Sequence, residues 1–194
     1  CRPLLLACAA LVGATVVAAP IVIADFEGAD YGAWKTTGSA FGSGPARGTL
    51  PRQGKVEGFE GKGLVNSYLG GDAGIGTLTS PEFKIERRFI TFLIGGGKDL
   101  ERTALHLLVA GKVVRRATGP NDKPGGSEAL APGSWDVAEF LGQTAAIRII
   151  DEAKGDWGHI NVDHLVQTDQ LPAPLLVDAK RDFAITRRYL HLPI

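Results

Sequence analysis

The chain has 194 residues, 44% hydrophobic and 22% charged, with 21 lysines and arginines against 21 aspartates and glutamates. That length and composition suit one globular domain with a core of its own. The even charge balance supplies no basic field to hold a phosphate backbone, so nucleic acid is not an expected partner.

Residues 1–19 read as a secretory signal peptide: Arg2, an apolar run from Leu4 to Val17, then Ala18 and Ala19 before Pro20. The run is shorter than the about 20 apolar residues that a spanning helix needs. Export without a membrane span, to a secreted or periplasmic destination, is therefore expected. Cleavage is expected after Ala18, because a proline directly after the cut hinders the peptidase. A lipobox at Leu5-Leu6-Ala7-Cys8 is the disfavoured alternative, since the apolar run continues past Cys8. Both cysteines, Cys1 and Cys8, lie in this leader, so the exported chain is expected to depend on no disulfide. A chain that starts at Cys1 and contains no methionine is the pattern of an incomplete reading frame.

Residues 20–168 alternate short β-rich runs with glycine- and proline-rich punctuation. Strands are expected at Ile21 to Glu27, Gly63 to Tyr68, Gly76 to Thr79, Glu82 to Ile85, Phe89 to Ile94, Ala104 to Val109, Lys112 to Thr118, Gly133 to Asp136, Ala145 to Asp151 and Ile160 to Val166. Leu107 and Val109 alternate with their neighbours up to Ala110-Gly111, and Val113 resumes the pattern, which predicts a hairpin. With no βαβ spacing and no long amphipathic helix, the fold class is all-β: an antiparallel two-sheet sandwich, jelly-roll-like. Gly28 to Gly58 is then a long loop, with room for a short strand around Trp34 to Gly38, and loops of this length are uncommon unless functional or mobile. Residues 169–194 open with the linker signal Leu171-Pro172-Ala173-Pro174 and read as the truncated start of a following domain.

Several segments carry a resemblance: Ile23-Ala24-Asp25-Phe26-Glu27-Gly28, Gly58-Phe59-Glu60-Gly61-Lys62-Gly63, Asn66-Ser67-Tyr68-Leu69-Gly70-Gly71-Asp72, Leu78-Thr79-Ser80-Pro81-Glu82-Phe83, and Trp157-Gly158-His159-Ile160-Asn161-Val162-Asp163-His164. They resemble the amino-terminal sandwich module of bacterial glycoside hydrolase family 32 proteins of the levanase and exo-inulinase type. The tail Tyr189-Leu190-His191-Leu192-Pro193 is similar to the segment preceding the catalytic propeller in such proteins. The resemblance implies a secreted fructan-degrading parent whose catalytic domain follows in the same polypeptide. It does not carry the chemistry, because the chain lacks the family's Trp-x-Asn-Asp-Pro-like nucleophile motif and its Arg-Asp-Pro and Glu-Cys motifs. Retaining glycoside cleavage needs a nucleophile and an acid in one site, so no catalytic residue is assigned.

Sugar recognition uses aromatic faces and planar polar groups, and the candidates at expected loop ends are Asn66, Tyr68, Asp72, Lys98, Asp156, Trp157 and His159. Trp34 and Trp135 are expected in the core. In the last strand His159, Asn161 and Asp163 share one face, with Ile160 and Val162 on the other. If the first and last strands are neighbours, Asp25, Glu27 and Asp163 could share a structural calcium ion; the competing reading makes them solvated edge residues or a hydrogen-bonded latch. No cofactor is required. A zinc site on His159 and His164 is disfavoured by their spacing. Gly95-Gly96-Gly97 has no following helix and reads as a bend permitting close backbone approach rather than a phosphate loop. The turn-rich Asn121 to Gly126 loop calls for no special chemistry.

The function these features imply is a non-catalytic accessory module that binds carbohydrate, a glycan such as fructan, or positions the catalytic domain. A purely structural spacer, or part of an active glycosidase whose catalytic residues lie beyond this chain, are the alternatives.

Overall fold

In the computed structural model, residues 18–171 are described. Most of the expected signal peptide and of the expected linker and following-domain start fall outside them. Among the described residues no helix is long and apolar enough to cross a membrane.

Eleven strands follow in chain order: β1 (Ile21–Ala24), β2 (Lys35–Gly38), β3 (Val65–Asn66), β4 (Gly76–Thr79), β5 (Phe83–Lys84), β6 (Phe89–Gly96), β7 (Thr103–Val109), β8 (Lys112–Ala117), β9 (Ala131–Asp136), β10 (Thr144–Asp151) and β11 (Ile160–Thr168). The one helical element among the described residues is a single 3-10 turn at Ala138–Phe140. Every strand pairing is antiparallel. One sheet has the order β1-β11-β6-β9 with β3 beside β11, and the other has β2-β4-β10-β7-β8 with β5 beside β10. The molecule is thus a two-sheet, jelly-roll-like β-sandwich, as the strand pattern predicts.

Period-two alternation fills the space between the sheets. Ile90, Phe92, Ile94, Ile160 and Val162 from the first sheet meet Leu78, Leu105, Leu107, Ile147 and Ile149 from the second in one core cluster. Trp135 joins this core and Trp34 packs at its margin. The first and last strands are neighbours, with Ile21 opposite Gln167. β7 and β8 form the expected hairpin, and Ala110 (φ 49°) with Gly111 (φ 73°) makes the two-residue loop with both φ positive. That is the turn whose twist suits paired strands.

Among the boundaries that shift, three do so for local reasons. β1 stops at Ala24 because Phe26 takes φ 52° and turns its ring inward against Tyr31 and Trp34, at centroid distances of 6.4 and 5.3 Å. The Gly63 to Tyr68 run contributes a strand of only two residues, with Leu64 bridging to Ala46. β11 runs to Thr168 through a bulge at His164 (φ 49°).

The long segment before β3 is ordered cover. Val56 and Leu64 form a second apolar cluster with Leu130, joined by Phe59 and Leu93. Leu93 lies opposite Asp163 in the sheet, so this cluster sits on the outer face of the first sheet. His159, Asn161 and Asp163 do share that face, but they are 2%, 0% and 0% exposed. Of the three carboxylates considered for a shared ion, Asp163 is therefore covered, whereas Asp25 and Glu27 are exposed.

Candidate functional site

Three connections meet at one end of the sandwich: Ser67 to Ile75 between β3 and β4, Thr118 to Leu130 between β8 and β9, and Glu152 to His159 between β10 and β11. Between them lies an open cleft of about 250 Å³ lined by Tyr68, Asp72, Pro124, Glu128, Asp156, Trp157 and His159.

His159 enters at the start of β11 and is buried between two carboxylates. Its Nδ1 lies 2.6 Å from Asp72 Oδ1 and its Nε2 lies 2.9 Å from Glu128 Oε2. A neutral imidazole has only one N–H, so one of these contacts would set a lone pair against a carboxylate. The imidazolium satisfies both. Burial favours the neutral ring, yet the hydrogen bonds His159 donates to Glu128 and Asp72, and the charges of those carboxylates, outweigh it and raise the His159 pKa above its usual value. Tyr68 meets the imidazole edge-on at 4.8 Å and Trp157 stacks on it at 5.5 Å with planes 29° apart.

Behind this pair the polar groups are tightly cross-linked. Glu128 Oε2 also accepts from Asn161 Nδ2 at 3.1 Å and Gln53 Nε2 at 3.1 Å. Asn66 Nδ2 donates to Gln53 Oε1 at 2.7 Å, and Asn66 Oδ1 accepts the Tyr68 amide at 3.1 Å. Asp151 is fully buried nearby and neither carboxyl oxygen has a hydrogen-bond partner. Burial and the Asp72 charge push its pKa up to about 7, against the opposing influence of Ser67 and His159.

The Trp157 wall depends on close backbone packing. Trp157 itself has φ 62°, a conformation that costs about 1–3 kcal/mol and persists only when its surroundings impose it. Its indole Nε1 donates to Lys123 O at 2.9 Å, and the Gly97 amide donates to His159 O at 2.8 Å. A Cβ at Gly97 would collide with the Trp157 carbonyl, and one at Gly119 with the Gly96 carbonyl. The triglycine is thus a site of close backbone approach. Asn121 ties down the opposite wall, donating to Gly96 O at 2.9 Å and Ser127 O at 2.8 Å. The turn-rich Asn121 to Gly126 loop thus places Pro124 at the cleft and leads into Glu128.

Of the sugar-binding candidates, Tyr68, Asp72, Asp156, Trp157 and His159 line the cleft. Asn66 lies one layer behind, 2% exposed. Lys98 does not line the cleft and pairs with Asp122 at 3.1 Å. Sequence reasoning missed Glu128 and Gln53, each brought in by a loop with no strand periodicity.

Each of the carboxylates considered for calcium accepts backbone amides through one of its oxygens. Asp25 Oδ1 accepts from the Glu27 amide, Glu27 Oε1 from Lys62 and Gly63, and Asp163 Oδ2 from Glu60 at 2.8 Å. Asp163 Oδ1 is buried without a partner, but among the described residues no three His, Cys, Asp or Glu side chains converge to hold a metal ion. Burial raises the Asp163 pKa to about 6, against the Glu60 and His164 amides.

The fold and site together define a β-sandwich whose loops build an aromatic, carboxylate-lined cleft at one end. No family model matches the chain. Over 148 residues it is 47% identical to a protein of Aspergillus rugulosus named "Putative glycosyl hydrolase ecdE", covering 75% of this chain and 20% of that one. The chain thus spans about a fifth of the length of that curated relative. Similar solved structures include TmCBM61 in complex with beta-1,4-galactotriose, at 16% identity and TM-score 0.49 over 75% of this chain and 94% of that one. Another is the K1 cleaved adhesin domain of Lys-gingipain from Porphyromonas gingivalis W83, at 15% identity and TM-score 0.49 over 79% and 99%. A point mutant of a family 29 carbohydrate-binding module gives 17% identity and TM-score 0.42 over 81% and 100%.

Proposed function

We propose that the chain is a carbohydrate-binding accessory module of a glycoside hydrolase, with the sugar docking against Trp157 and Tyr68. The observation that carries this reading is the cleft itself: two half-buried aromatic rings set around carboxylates already fixed by His159. Sugar rings bury their C–H faces on aromatic surfaces while their hydroxyls donate to fixed acceptors. The name of the Aspergillus relative supports a glycoside-cleaving parent.

The same geometry argues against catalysis in this cleft. Asp72 and Glu128 are both engaged by His159, which leaves Asp156 without a matched second carboxyl group to act as acid or nucleophile. The resemblance to family 32 modules makes fructan the first ligand to try. On this reading the partner is a following catalytic domain, and the protein acts outside the cytoplasm.

Titration of the chain with levan, inulin and unrelated glycans, followed by calorimetry, tests the proposal. Binding is expected, and Trp157→Ala and Tyr68→Ala are each expected to weaken it at least tenfold, about 1.4 kcal/mol, with melting curves still cooperative. No binding to any glycan would leave the spacer reading in its place, and released reducing sugar would make the chain an enzyme.

A further inference from the structure

We infer that the cleft selects its glycan by charge: it takes uncharged rings and rejects those bearing carboxylate or sulfate groups, with Asp72 and Asp156 as the selecting residues. This inference rests on the glycan-binding reading of the same cleft and adds a substrate class to it.

Among the described residues, the cleft lining contains three carboxylates, Asp72, Glu128 and Asp156, and no lysine or arginine. One positive charge, on His159, lies among them and is enclosed by two of the three. Its side chain is 3% exposed, so it presents almost nothing to a ligand. The cations of the neighbouring loops do not line the cleft: Lys98 is paired with Asp122, and Lys123 and Lys154 are exposed. An incoming anion would meet carboxylates with no lysine or arginine in the cleft lining to receive it.

For an uncharged sugar the same groups are useful. Asp72 engages His159 through Oδ1, and its side chain is still 26% exposed. Its other oxygen is left as an acceptor held in a fixed direction. Asp156 is exposed in the cleft beside Trp157. Carboxylates only accept when ionised, and sugar hydroxyls donate, so the hydrogen bonds are charge-assisted. Because Asp72 is oriented before the ligand arrives, less ordering remains to be done on binding.

Matched glycans isolate charge from shape. Calorimetric titrations compare inulin with carboxymethyl-inulin, and carboxyl-reduced polygalacturonate with native polygalacturonate, using the chain at about 20 mM and 1 M salt. The uncharged member of any pair that binds is expected to bind at least tenfold more tightly at low salt. The ratio is expected to shrink at 1 M, where the Debye length falls to about 3 Å. Asp156→Lys is expected to narrow the low-salt ratio, and Asp156→Asn to narrow it less. Equal or tighter binding of the charged member overturns the inference while leaving glycan binding intact, as does a ratio that salt does not change. Failure of every glycan to bind removes both.

Discussion

His159 illustrates how one side chain joins the core to the cleft. Its ring nitrogens face Asp72 and Glu128, its faces meet Tyr68 and Trp157, and its carbonyl accepts the Gly97 amide. With its folded pKa raised above that of the free side chain, the imidazolium stabilises the fold fully below about pH 6.5, and this stability is lost as pH rises through the folded value. In a 15N-detected titration, both ring nitrogens of His159 should remain protonated where an unperturbed histidine has begun to lose its proton. The ring should titrate at a higher pH than an unperturbed histidine. Glu128→Gln should lower that midpoint, because it removes the charge on the buried side. A His159 ring that titrates at or below the usual histidine value would contradict the doubly bonded arrangement.

At the level of the elements, most strands were legible because a half-buried strand announces itself by alternation, and Ala110-Gly111 announces its own turn. The face shared by His159, Asn161 and Asp163 followed from the same rule. Their burial did not, because it depends on loops folding over that face: Asp72, Glu128, Tyr68 and Trp157 enclose His159, and the segment carrying Val56, Phe59 and Glu60 covers the Asp163 end. Glu128 was illegible for the same reason: it precedes β9 in a turn-rich loop and gains meaning only when Asn121 draws that loop over β11. Gly97 shows how such loops are held together. Substituting Gly97→Ala should push the Trp157 carbonyl away and displace the whole β10 to β11 connection. The expected cost is about 1–3 kcal/mol, as for other overpacked sites, visible as a lower urea midpoint. Glycan affinity should fall by more than the Trp157→Ala variant loses, since Asp156 moves as well. Unchanged stability and affinity in the Gly97→Ala variant would show that the close approach is dispensable.

Across the whole molecule, the buried acids and the surface acids act on stability in opposite pH ranges. Asp151 and Asp163 have folded values of about 7 and about 6, well above the about 3.9 of an unfolded aspartate. Between those limits the folded state holds protons that the unfolded state has released, so stability falls as pH rises through about 4 to 7. The His159 contribution declines in the same direction as pH rises through its own raised value. Glu27, Asp99, Asp122 and Asp136 have lowered values, so what they contribute is present above about pH 4 and lost as pH falls further. Maximum stability is therefore expected near pH 4–5, with a decline toward neutrality. Each proton involved limits the slope to about 1.4 kcal/mol per pH unit. Asp151→Asn separates the causes, because it removes one of these protons while keeping the side-chain shape. Urea unfolding from pH 4 to 8 should show a flatter decline for this variant than for the wild type, with the two curves diverging most between pH 5 and 7. Parallel curves would mean that Asp151 is ionised in the folded protein throughout that range, with its charge met by His159.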